Sequence, residues 1–145
     1  MTDYRDMRRS RIVLVVSALL IATLVSPASA GPNQAAESRL RNGWAAAGTF
    51  WSDGDTLVGF NATAAAAIEV ALEWVDATRP SGKQVDIQVV KGQRVLLVTQ
   101  AASGRFFSMC ARNPRWESLR YGKGDSFSAV DEFSECRLKD WTQAR

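Results

Sequence analysis

Three features of the sequence predict an α+β fold. Apolar residues recur at helical spacing from Ala36 onward, the period changes to two beyond Gly82, and no long helical period returns after it. Helices followed by a run of strands favour an antiparallel sheet covered on one face over an alternating parallel sheet. The expected architecture is an N-terminal amphipathic helix and a short second helix packed on a three- to four-stranded antiparallel sheet, with one disulfide.

The first helix is carried by Ala36, Leu40, Gly43, Trp44, Ala47, Phe50 and Trp51 on one face, with Arg39, Arg41 and Asn42 filling the other. Asn33 is the expected cap, Glu37 sits near the first turn, and Asp53-Gly54-Asp55 marks the end. A second helix is expected from Asn61, with Ala64, Ala65, Ile68, Leu72 and Val75 as its buried stripe and Arg79-Pro80-Ser81-Gly82 as its stop. Val85, Ile87 and Val89 alternate with Asp86 and Gln88, and Lys91-Gly92-Gln93 makes a turn. Arg94 to Thr99 and Phe106 to Cys110 supply two more strands around a turn at Ala102-Ser103-Gly104. Trp116, Leu119 and Tyr121 suggest a fourth strand before a turn at Gly122-Lys123-Gly124-Asp125.

With 145 residues, 18 basic and 15 acidic, the chain has room for one domain plus a targeting segment. Residues 1–30 hold four arginines and two aspartates, which leaves 14 basic and 13 acidic groups beyond them. So even a balance gives no electrostatic footprint for nucleic acid. The sequence has two cysteines and no histidine, so neither a thiolate–imidazole zinc site nor an imidazole-based triad can be built. No cofactor is implied.

Arg5, Arg8, Arg9 and Arg11 precede Ile12 to Val25, in which only Ser17 and Thr23 are polar, and Ala28-Ser29-Ala30 follows. That is the three-part pattern of a secretion signal, cut before Gly31. The apolar run spans roughly 21 Å as a helix, short of the roughly 30 Å hydrocarbon core. The alternative is an uncleaved anchor over residues 12–30 with its arginines in the cytoplasm. Either way, residues 31–145 form a globular domain placed outside the cytoplasm, secreted or at the cell surface. In an exported chain, Cys110 and Cys136 are expected to pair, closing a loop that restricts the unfolded state by roughly 3 to 4 kcal/mol.

Several short patterns have ordinary structural readings. Counted from Asp53 as an EF-hand loop, Val58 stands where glycine is required and Ala64 where glutamate is required, so Asp53-Gly54-Asp55 is a turn. Glu69 and Glu73 fall four apart on the expected second helix and describe its solvated back better than an acid–base pair. No GxSxG string or phosphate loop occurs, and Asn61-Ala62-Thr63 matches a glycosylation acceptor too short to be specific.

The ordered set of local strings resembles the globular domain of type IV pilins and type II secretion pseudopilins, in the form found in Gram-positive bacteria. Ala36-Glu37-Ser38-Arg39-Leu40-Arg41-Asn42 followed by Ala45-Ala46-Ala47 and Thr49-Phe50-Trp51-Ser52-Asp53 is similar to the end of the long pilin helix. Phe60-Asn61-Ala62-Thr63, Ala102-Ser103-Gly104-Arg105-Phe106-Phe107 and Tyr121-Gly122-Lys123-Gly124 ahead of Cys136 follow in the same order. The resemblance covers roughly residues 35–141. It departs at the N-terminus, where Ser10-Arg11-Ile12 replaces the prepilin cleavage site and Ile12 to Val25 contains no acid.

The resemblance implies a non-catalytic protein, an accessory or minor component of a pilus or secretion apparatus that acts by protein–protein contact. Arg39 and Arg41 on the first helix are the expected contact residues, and filaments of this chain alone are not expected. The alternative is a free extracellular binding module, with Trp116, Tyr121 and Phe127 forming a site on the sheet and the stapled C-terminal loop. An enzyme would have only Glu69 and Glu73 to offer.

Overall fold

The computed structural model describes residues 31–112 and 119–136. The fold is α+β: two helices lie on one face of a five-stranded mixed sheet, and a disulfide-held segment covers the other. Helix α1 spans Pro32–Ser52 and α2 spans Ala62–Ile68. The strands are β1 (Glu73–Asp76), β2 (Gln84–Val90), β3 (Arg94–Gln100), β4 (Phe106–Arg112) and β5 (Arg120–Gly124), in that spatial order. From β2 to β5 the sheet is the expected antiparallel meander, and β1 adds a parallel edge beside β2. Among the described residues no helix is long and apolar enough to cross a membrane.

Helix α1 begins at Pro32, whose missing N–H costs nothing in the first turn. Asn33 is therefore inside the helix rather than its cap, and its side-chain oxygen accepts from the Ser103 hydroxyl at 2.9 Å. The helix ends where Asp55 turns left-handed (φ 52°) and donates its N–H to Trp51 O at 2.8 Å. Ala36, Leu40, Trp44 and Ala47 are buried against Val85, Ile87, Leu97 and Met109 of the sheet. Gly43 permits the close approach: a β-carbon there would stand 3.1 Å from Leu97 Cδ1 and 3.3 Å from Trp74 Cη2.

The second helix is shorter than its periodicity predicts. Asn61 caps it by accepting the Ala64 N–H at 3.0 Å, and Asp76 accepts the Ala62 N–H at 2.8 Å. It stops at Ile68, and residues 73–76 form β1 instead of continuing the helix. A helix through Val75 would bury Leu72 and Val75, whereas the strand turns Trp74 under α1, where its indole donates to Glu69 O at 3.0 Å. The larger aromatic area decides the conformation.

Between β1 and β2, Thr78 and Arg79 lie on the face opposite α1. Arg79 lies over the Phe106 ring at 5.1 Å, and the fully buried Asp86 accepts the Thr78 N–H at 2.9 Å and the Gln88 amide at 2.9 Å. Asp86 is thus no solvent-facing member of an alternating strand. Burial, with a smaller contribution from Asp76, raises its carboxyl pKa from the ordinary value, against hydrogen bonds from Gln88, Thr78 and Ile87.

The same face buries Leu96, Val98, Phe106 and Val130 with the Cys110–Cys136 disulfide, which closes a separation of 26 residues. Two short 3-10 turns, Phe127–Ala129 and Phe133–Glu135, bring the chain across it. Gly122 and Gly124 lie within β5, not in the turn their sequence predicts. A β-carbon on Gly122 would collide with Ser108 Oγ of β4, and one on Gly124 would stand 2.6 Å from Ala129 Cβ of the returning segment, so each glycine permits a close approach.

Candidate contact surface

The exposed side of α1 carries Ser38, Arg41, Asn42, Ala45 and Thr49. Arg41 stays in solvent, with its guanidinium 3.6 Å from the Glu37 carboxylate one turn back. Tyr121 lies half-buried against the α1 side of the sheet, where desolvation raises its hydroxyl pKa and the charge of Arg41 opposes that rise.

Arg39 behaves differently from its neighbour. Its Nε donates to Thr99 Oγ1 at 3.1 Å and its Nη2 to Gln100 O at 2.7 Å, so it ties α1 to the end of β3. Both partners are neutral, and partial burial lowers its pKa from the ordinary arginine value. With Gln34, Ala35, Ser38, Ala71, Leu72 and Lys83 it lines a groove of about 440 Å³. Residues from three separated stretches meet here, and Val70 beside them is 84% exposed. The sequence alone does not bring Leu72 and Lys83 to this groove, because Leu72 falls on the buried stripe of an expected helix that ends before it.

The three aromatic residues of the alternative site do not form one cluster. Tyr121 pairs with Met109 and lies on the α1 face, whereas Phe127 packs on Phe106 at 5.8 Å on the opposite face. Trp116 lies outside the described residues, as do residues 1–30, on which the expectation of a signal or anchor falls. Glu69 ends α2 and Glu73 opens β1, so the two carboxylates share no helix face, and Glu69 accepts the Ala71 N–H at 3.0 Å. Among the described residues no group of three acidic or sulfur side chains is placed to hold a metal ion.

Comparison with protein-family models, with curated proteins and with solved structures finds no match to this chain.

Proposed function

We propose that the chain is an exported, non-catalytic pilin-like protein that works by protein–protein contact, as an accessory or minor component of a surface assembly. The observation that carries this reading is the seating of α1: one side is buried along the meander while the side holding Ser38, Arg41 and Thr49 remains open to a partner. The resemblance of residues 35–141 to pilin-type globular domains supplies the kind of assembly. The disulfide suits an oxidising compartment outside the cytoplasm. The free binding module built on Trp116, Tyr121 and Phe127 is the weaker reading, since the sheet separates Tyr121 from Phe127.

Expression of the full chain with fractionation and electron microscopy tests the proposal. The expected result is protein in the medium or at the cell surface, without filaments built from this chain alone and with partners retained on pull-down. Recovery in the cytoplasm overturns it. So does a hydrolytic activity that disappears in a Glu69→Gln, Glu73→Gln double variant.

A further inference from the structure

We infer that the groove between the first half of α1, Ala71 and Leu72, and Lys83 receives an acidic segment of a partner polypeptide. The inference rests on the contact reading above and names the chemistry of the partner. The segment's carboxylate sits between Arg39 and Lys83, and its apolar neighbours lie on Ala35, Ala71 and Leu72.

Charge complementarity selects the occupant. Two cations line the groove and no acid does. The acids flanking it in sequence are not among its lining residues: Glu69 bonds the Ala71 N–H, Glu37 pairs with Arg41, and Glu73 opens β1 beside Leu72. Arg39 is oriented by Thr99 and Gln100, neutral acceptors that fix its guanidinium without compensating its charge. A fixed, partly desolvated guanidinium beside apolar walls is a strong and specific site for a carboxylate, because charge-assisted bonds strengthen as water is excluded. A mostly apolar cleft with a few placed polar groups is also the usual form of a recognition site, and about 440 Å³ accommodates a short peptide stretch. Two cations fall short of the four to eight that mark a binding patch for anionic lipid.

The test uses protein purified from cells expressing the full chain and a fluorescein-labelled peptide, Gly-Leu-Asp-Leu-Gly with blocked ends, read by fluorescence anisotropy. Saturable binding is expected, about tenfold or more weaker for the Asn twin of the peptide and for the Lys83→Glu variant. Lys83 is exposed and outside the core, so this variant keeps its fold even if Arg39→Gln loosens α1. Three results overturn the inference: no saturable binding, equal binding of the Asn twin, or binding unchanged by Lys83→Glu. Lys83-dependent association with phosphatidylglycerol vesicles in place of the peptide would assign the groove to a lipid surface instead. Lys83-dependent dimerisation in sedimentation velocity would assign it to a second copy. If partners captured on cells survive Lys83→Glu, contact stands as the function and only the groove is removed.

Discussion

Arg39 and Thr99, sixty positions apart, join α1 to the sheet through one relay. The guanidinium Nε donates to Thr99 Oγ1 at 3.1 Å, and the same hydroxyl donates to Gln84 O of β2 at 2.7 Å. Thr99 is fully buried, so its hydroxyl has no solvent to replace either partner.

Thr99→Val keeps the shape of the side chain and deletes both bonds. A loss of about 1–3 kcal/mol is expected, the range for leaving a buried polar group unpaired. Urea titration of the two proteins checks it, and a change of a few tenths of a kcal/mol would mean that water reaches the site.

The disulfide holds the second face closed. Non-reducing peptide mapping of protein prepared without reductant is expected to recover Cys110 and Cys136 in one linked peptide pair. Reduction is expected to cost about 3–4 kcal/mol by the loop-closure relation. Alkylation of both thiols without reductant would show the staple to be absent.

Glycines at two positions should respond oppositely to a methyl group. Gly122→Ala drives a β-carbon into Ser108 under the returning segment and is expected to destabilise by about 1–3 kcal/mol. Gly48 in α1 has open space where the β-carbon would go, so Gly48→Ala is expected to stabilise by about 0.5–1 kcal/mol. Thermal unfolding of both variants gives the signs directly.

Asp86 sets a pH dependence. Its folded pKa lies above the unfolded value of 3.8 because burial disfavours the carboxylate. The folded state therefore binds its proton more tightly, and this contribution to stability is full below the unfolded pKa and is lost as pH rises through the folded one. Asp86→Asn can still accept from Thr78, while Gln88 turns its carbonyl toward the new amide. The variant is expected to be the more stable protein at pH 7.5, with the difference narrowing toward pH 4, as read by denaturant titration at each pH. A difference that does not vary with pH would place the Asp86 pKa at its unfolded value.

The parts of this fold legible in the sequence are those where one period dominates. Leu40, Trp44 and Ala47 place α1 by its single apolar face, and Val85 to Cys110 place the meander by dense β-favouring runs that are buried on both faces in β3 and β4. The end of α2 was hidden because Leu72, Trp74 and Val75 fit a helix stripe and a strand equally, and packing of Trp74 on Gly43 decides between them. Asp86 is the polar member of an alternating run, and alternation reports only which residues share a face, whereas the burial of this face comes from tertiary structure. Gly122 and Gly124 have turn chemistry but serve close packing. Arg39 reads in the sequence as a residue of the polar helix face, whereas its hydrogen-bond partners Thr99 and Gln100 are brought to it by the sheet.

The central claim is that the α1 side of an exported domain meets another protein. Photo-crosslinking on intact cells tests it most directly, with a photoreactive residue placed at Arg41 on α1 and, as control, at Ser128 on the opposite face. The account expects a discrete crosslinked species at the cell surface from the Arg41 position and none from Ser128. Equal labelling from both positions, or none from Arg41 in protein confirmed to be outside the cytoplasm, would contradict it.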